Sequence, residues 1–270
     1  MALLAPGAAA NDPVPAAEPI PIRALKPDGE GPFPAVVIMH DCSGLGPRSS
    51  GSPGRWGRLL VEHGYVAILP DSFSTRGFAD GVCTDPSPAR ASVSPPNRVP
   101  DARAALAFAQ ALPYVDAKRV GIMGGSHGGS TTLFAMLDHD GRAVQAGIGF
   151  AAAVALYPSC GVAIGGWNGR GGLYRPGGPL LILIGEKDDW TPAEPCRRLA
   201  GAAQDAGLPV SIKVYPGAHH AFDSDRPERY VAARINMNAP YRRGATTGGQ
   251  REAWVDSVRE VGEFFGRYLK

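Results

Sequence analysis

The 270-residue chain has no apolar run of the roughly 18 residues a membrane span needs. Its longest candidate, 147-GIGFAAAVALYP-158, is short and bounded by Gly and Pro, and reads as a buried strand. Long runs of Lys or Arg are also missing. With a net charge of +2, nucleic-acid binding has no electrostatic footprint, and neither nucleic acid nor membrane is an expected partner. Charged residues make up only 19% of the chain against 44% hydrophobic, which excludes a disordered protein. Neither G-x-G-x-x-G nor G-x-x-x-x-G-K-[ST] occurs, so the common phosphate-cradling loops are excluded. His and Cys never gather at metal-ligand spacing, since 219-HH-220 alone is too little. No metal or organic cofactor is expected. Cysteines are few (Cys42, Cys83, Cys160 and Cys196), and a chain of this size has no need of staples to fold.

What is plentiful is glycine (36) and proline (26), the mark of many shaped loops. Residues 1–19 are Ala/Pro-rich and uncharged until Asp12, with Ala8-Ala9-Ala10 placed like a small-residue cleavage site. A basic n-region is missing and the apolar part is very short. The expectation is export to the periplasm or outside the cell, with residues 1–19 a flexible leader or signal remnant; the alternative is a cytoplasmic protein.

Beyond the leader, apolar strand patterns alternate with helical ones. The segment 20-IPIRAL-25 is a candidate edge strand, and 35-AVVIMH-40, 65-YVAILP-70, 119-RVGIMG-124, 147–157, 180-LLILIG-185 and 210-VSIKVYP-216 read as buried strands. Helical spacing marks 56–64, 98–112, 131–137, 193–207 and 250–270. Continuous apolar strands alternating with helices predict an α/β fold with a mostly parallel sheet covered on both faces, in one domain over residues 20–270. Ligands in such sheets sit off the carboxyl ends of the strands. On that arrangement Cys42, Cys160 and Cys196 follow strands at one sheet edge, and Cys83 lies in a loop. Four cysteines allow three pairings. Export would favour Cys42–Cys83 and Cys160–Cys196, and a reducing compartment would leave four thiols.

The chemistry concentrates in 121-GIMGGSHGGS-130, where Gly124-Gly125-Ser126-His127-Gly128 forms G-x-S-x-G between a strand and a helix. Such a sharp turn raises the Ser126 hydroxyl above the sheet, and the helix behind it aims N–H groups at developing negative charge. A serine hydroxyl needs a base to take its proton. His220, in 214-VYPGAHHAFD-223 just past the last strand, is the candidate; His219 shapes its loop. The imidazole needs an acceptor behind it. Asp188 in 185-GEKDDWTP-192 supplies one, with Glu186 and Asp189 as solvated loop acids. Ser126, Asp188 and His220 follow the nucleophile–acid–base chain order of α/β-hydrolases. The oxyanion formed on attack needs two donors, expected to be the backbone N–H groups of His127 and of Cys42 in 40-HDCSGLG-46. Phe73, Tyr157, Trp167 and Trp190 follow strand ends and are candidates to line an apolar pocket, or else pack in the core or loops. Arg76 would either pair with a substrate carboxylate or pin the long loop through carbonyls or Asp71.

These residues resemble the dienelactone hydrolase family of α/β-hydrolases over roughly residues 20–270. The resemblance is carried by 38-IMHDCSGLG-46, 70-PDSFSTRG-77, 122-IMGGSHGG-129, 184-IGEKDDWTP-192 and 215-YPGAHHAFD-223. It implies an acid and a base at Asp188 and His220, and it places an activating acid of that family near Asp41. The family's name-giving enzymes carry cysteine in the elbow where this chain has Ser126. That departure moves the expectation from dienelactone itself to a serine esterase acting on carboxylic esters or lactones through an acyl-enzyme. The alternatives are peptide hydrolysis or acyl transfer by the same triad, and, from another class, a non-catalytic binding protein built on the same fold.

Overall fold

The computed structural model describes residues 19–137, 149–161 and 172–270. Its centre is a seven-stranded sheet in the order β1-β3-β2-β4-β5-β6-β7. The strands are β1 (Ile22–Leu25), β2 (Phe33–Met39), β3 (Val66–Pro70), β4 (Val115–Gly125), β5 (Ala153–Leu156), β6 (Leu180–Gly185) and β7 (Val210–Tyr215). Strands β2 to β7 pair in parallel. The edge strand β1 runs antiparallel to β3, Ile22 facing Pro70.

Sequence pattern explains the arrangement. Strands β3, β5 and β6 are buried at every position, as expected where helices cover both faces of a parallel sheet. Helices α1 (Ser52–Glu62), α2 (Val99–Gln110), α3 (His127–Ala135), α4 (Ala193–Asp205) and α5 (Arg251–Leu269) provide that cover. On α5 the buried residues Ala253, Ser257, Val261, Phe265 and Leu269 recur every four positions and lay one stripe on the sheet. Helix α1 starts four residues earlier than its apolar spacing suggested, because Pro53 suits a first turn whose N–H has no helical partner. Strand β5 occupies only Ala153–Leu156 of the expected run, whose first two residues lie outside the described part, as do His139 and Trp167. Among the described residues no helix is long and apolar enough to cross a membrane.

Both conditional cysteine pairs are present as disulfides, Cys42–Cys83 and Cys160–Cys196. Between β7 and α5 the chain adds an antiparallel hairpin that the sequence reading did not identify, β8 (Arg229–Ile235) with β9 (Arg243–Thr247). Its pattern, RYVAARI and RGATT, is half charged or small and lacks the apolar signature of the main sheet. Polar ties dock it on the strand-end face. Ile235 N–H donates to Cys83 O at 3.0 Å, Gly248 N–H to His220 O at 3.0 Å, and Thr246 N–H to Asp189 Oδ1 at 2.8 Å.

Candidate active site

Strand β4 ends at Gly125 and α3 begins at His127, so Ser126 alone turns the chain from strand to helix. It sits at φ 55°, ψ −116°, a region L residues rarely occupy. Glycines make the bend possible by letting backbones touch. A Cβ on Gly128 would lie 2.0 Å from Met39 O, and one on Gly124 would lie 2.6 Å from the Gly128 carbonyl carbon. Ser126 N–H donates to Leu156 O at 2.9 Å, tying the bend to the neighbouring strand.

The three expected side chains come together at the carboxyl ends of β4, β6 and β7. Ser126 Oγ lies 2.8 Å from His220 Nε2, and His220 Nδ1 lies 2.8 Å from Asp188 Oδ2. All three residues are buried. Asp188 is fixed from its own turn: Oδ1 accepts the N–H groups of Trp190 (3.0 Å) and Thr191 (2.8 Å). Thr191 Oγ1 lies 2.9 Å from Asp188 Oδ2 and 3.1 Å from Tyr157 O. With Asp188 and Thr191 as acceptors behind it, Nδ1 carries the imidazole proton, leaving Nε2 to accept from the serine hydroxyl.

Behind the histidine lies a buried carboxylate whose place was not foreseen. Asp223 Oδ1 accepts from Tyr157 OH at 2.7 Å, and Oδ2 accepts from Ser52 Oγ at 2.6 Å and Trp56 Nε1 at 2.8 Å. This ties the His220 loop to the start of α1 and to the Tyr157 ring, whose edge meets the His220 ring at 4.8 Å between centroids. Burial, and then the Asp223 charge, push the Tyr157 phenol well above its usual range, so it stays protonated. Nothing in the local sequence marks Asp223 as buried; its three partners come from elsewhere in the chain.

The turn after β2 faces the elbow. Asp41 accepts from Ser43 N–H at 2.7 Å and from the hydroxyls of Ser43 and Ser50, so its carboxylate organises the turn. Gly44 N–H is bonded to Asp41 O; the Cys42 N–H, among the described residues, takes no protein acceptor. His127 is the first residue of α3, and its N–H has no intrahelical partner either. The Asp41, Cys42 and Cys83 side chains cluster, but the two sulfurs are bonded to each other and offer no thiolate to a metal.

A cavity of about 170 Å³ opens beside Ser126 and His220, with Cys42, Tyr157 and Trp190 in its walls. Trp190 packs on His220 at 4.8 Å and donates Nε1–H to Ile235 O at 2.8 Å. For two other candidates the pocket-lining alternative does not hold and the packing or pinning one does. Arg76 does not reach the cavity: it forms a two-bond pair with Asp101, both contacts 2.7 Å, and donates to Ser72 O. The loop-pinning alternative therefore describes it, through Asp101 and a carbonyl and not through Asp71. Phe73 is fully buried beneath the turn, packed on His40, Phe78 and His127, because the loop it starts folds inward over Cys42, Val82 and Val93. The cations in the cavity wall are instead Arg48, Arg226, Arg229 and Arg234, three of them at or on the unforeseen hairpin. Arg234 stacks over Trp190 at 5.1 Å, and its buried Nε has no partner among the described residues.

The chain is similar to known proteins. The model of the dienelactone hydrolase family matches residues 20–269. A proposed carboxymethylenebutenolidase of Methylorubrum extorquens is 29% identical over 222 residues, covering 78% of this chain and 70% of that protein. One of Escherichia coli K12 is 26% identical over 227 residues, with 78% and 75% covered. Among solved structures, a proposed dienelactone hydrolase of Klebsiella pneumoniae superposes with a TM-score of 0.67 at 23% identity, covering 92% of this chain and 93% of that one. Esterase 2 of Thermogutta terrifontis, phosphorylated by paraoxon, does so at 0.61 and 17%, with 91% and 88% covered.

Proposed function

The chain belongs to the dienelactone hydrolase family of α/β-hydrolases, and on that premise we propose that it is a serine hydrolase of small carboxylic esters or lactones. The observation that carries the reading is the unbroken relay from Ser126 Oγ through His220 to Asp188, each link 2.8 Å, in a buried site open to a cavity. Ser126 Oγ attacks the carbonyl carbon while its proton passes to His220 Nε2. Asp188 steadies the imidazolium through Nδ1–H. The tetrahedral oxyanion takes hydrogen bonds from the N–H groups of Cys42 and His127. Its collapse breaks the ester bond, and His220 returns the proton to the departing alkoxide; from a lactone the alcohol stays attached to the acyl group. Water, deprotonated by the same histidine, then releases the acid and restores Ser126.

The cavity volume is below the ~300–1,000 Å³ common for drug-sized ligands, which favours short acyl or alcohol groups. Three hairpin-side arginines, one with an unpartnered buried Nε, favour a substrate that also bears a carboxylate. The two disulfides fit work in an oxidising compartment, periplasmic or extracellular. The test is turnover of a panel of short p-nitrophenyl esters, lactones and anilides by the wild type and Ser126→Ala. The reading expects ester and lactone hydrolysis that vanishes in the variant. Folded wild type that turns over none of them overturns it, and anilide cleavage exceeding ester cleavage would favour a peptidase.

A further inference from the structure

The serine hydrolase reading leaves unexplained a fully buried arginine at the foot of α2. Arg98 is 0% exposed and forms no ion pair among the described residues, its neighbour Asp101 being taken by Arg76. Its Nε and one terminal nitrogen have no partner among the described residues, and the guanidinium lies over the face of Phe73 at 4.9 Å. A buried cation held so sparsely costs stability that an apolar side chain of similar length would not. The remaining nitrogen makes two bonds, to His40 O at 2.9 Å and to His127 Nδ1 at 2.8 Å. It carries two hydrogens, so both bonds are made at once.

Those two acceptors belong to the two segments that present the oxyanion donors. His127 contributes its own backbone N–H. His40 opens the turn of Cys42, and its Nδ1 lies 2.8 Å from Asp41 O. Because His40 Nε2 accepts from Ser72 N–H at 3.1 Å, Nδ1 is the nitrogen that donates. The Asp41 carbonyl and the Cys42 N–H share one planar peptide unit, so a bond on that oxygen sets the direction of that N–H. We propose that Arg98 is a positioning residue that holds the His40–Cys42 turn and the His127 helix start in register as the two halves of one oxyanion hole. Burial, followed by the Arg98 charge, keeps both imidazoles well below their usual range, so each keeps the neutral form this pattern requires. Burial likewise pulls Arg98 down to about 9, with Asp101 and Asp41 opposing, and it remains the cation of the set at neutral pH.

The test compares Arg98→Met, Arg98→Lys and the pair His127→Asn and His127→Leu with wild type. The measurements are kcat, KM, the rate of Ser126 phosphonylation by a fluorophosphonate, and thermal melting. Arg98→Met is expected to lower kcat and the phosphonylation rate together by about 10- to 100-fold, with KM within about twofold. Arg98→Lys falls between. His127→Asn, which keeps an acceptor near the place of Nδ1, is expected to outperform His127→Leu by about tenfold. A folded Arg98→Met with kcat within twofold of wild type overturns the proposal. Should that variant not fold, equal impairment of the two His127 variants overturns it. Folded wild type that is neither labelled nor active removes the serine hydrolase reading itself, whereas labelled wild type with unchanged Arg98 variants removes only the role given to Arg98.

Discussion

The two sides of the cavity are built on different principles. On one side Ser126, Asp188 and His220 stand on turns that end β4, β6 and β7 of the buried sheet. Ser126 is tied to the adjoining strand and Asp188 to its own turn by backbone N–H groups, while the His220 carbonyl accepts from Gly248 just past β9. On the other, β8, β9 and the loop joining them lie outside the main sheet and expose Tyr230 (64%), Met237 (65%) and Tyr241 (97%) to solvent. That hairpin is fastened by individual polar bonds and brings Arg229 and Arg234 to the cavity. A catalytic relay tolerates errors of only a few tenths of an ångström and is anchored in the core. A wall fastened at single points can vary with less effect on the relay, which it meets through Gly248 and Trp190.

The largest expected effect attacks the anchored side. Ser126→Ala and His220→Ala are each expected to lower kcat by at least about 10³-fold on every ester, irrespective of its charge, with little change in melting temperature. Residual activity near wild type in His220→Ala would assign the base elsewhere, His219 first.

The disulfides give the next contrast, because Cys42–Cys83 joins the turn after β2 to the loop whose Cys83 carbonyl accepts from Ile235 of the hairpin, while neither Cys160 nor Cys196 lines the cavity. They close similar spans, 41 and 36 residues, and loop-closure entropy predicts about 4 kcal/mol from each. Replacing each pair by Ala should therefore cost similar stability in denaturant titrations, but only loss of Cys42–Cys83 should lower kcat, by several-fold. Equal kcat in the two variants would separate the bridge from the oxyanion turn.

Smaller and more selective is the change expected on the hairpin side. Arg234→Gln should lower kcat/KM for a carboxylate-bearing ester by about tenfold, the size of one charge-assisted hydrogen bond, and leave a neutral ester within about twofold. An equal loss on both substrates would mean that Arg234 supports Trp190 and not the substrate.

The gentlest test is pH. His40 and His127 are buried with depressed values, so the unfolded chain binds protons there that the folded chain refuses. Stability from these groups is full above about pH 6.5 and is lost as pH falls towards their folded values, by up to about 1.4 kcal/mol per pH unit for each. Denaturant melts between pH 7 and 5 should show this slope flatten in His127→Asn.

The contrast also divides what could be read from the sequence. The elbow was legible because five glycines around one serine have no other economical reading, and Asp188 and His220 because each follows an apolar strand by a few residues. The α/β pattern and the edge strand β1 followed from periodicity alone. The hairpin was not legible, since its residues carry neither apolar alternation nor a tight-turn signature, and its bonds run to Cys83, Asp189 and His220. The Asp101 partner of Arg76 and the burial of Arg98 and Asp223 escaped for a related reason. A charged side chain is solvent-facing by default, and only the three-dimensional neighbourhood shows Arg76 locked to Asp101, Arg98 buried between two histidines, and Asp223 holding Tyr157.

The most direct measurement is intact-mass and peptide mapping of the folded protein after treatment with a fluorophosphonate. The account predicts one adduct per chain on the peptide containing Ser126, absent in Ser126→Ala and formed at least about 10³-fold more slowly in His220→Ala. An adduct on another residue, or no adduct on folded wild type, would contradict it.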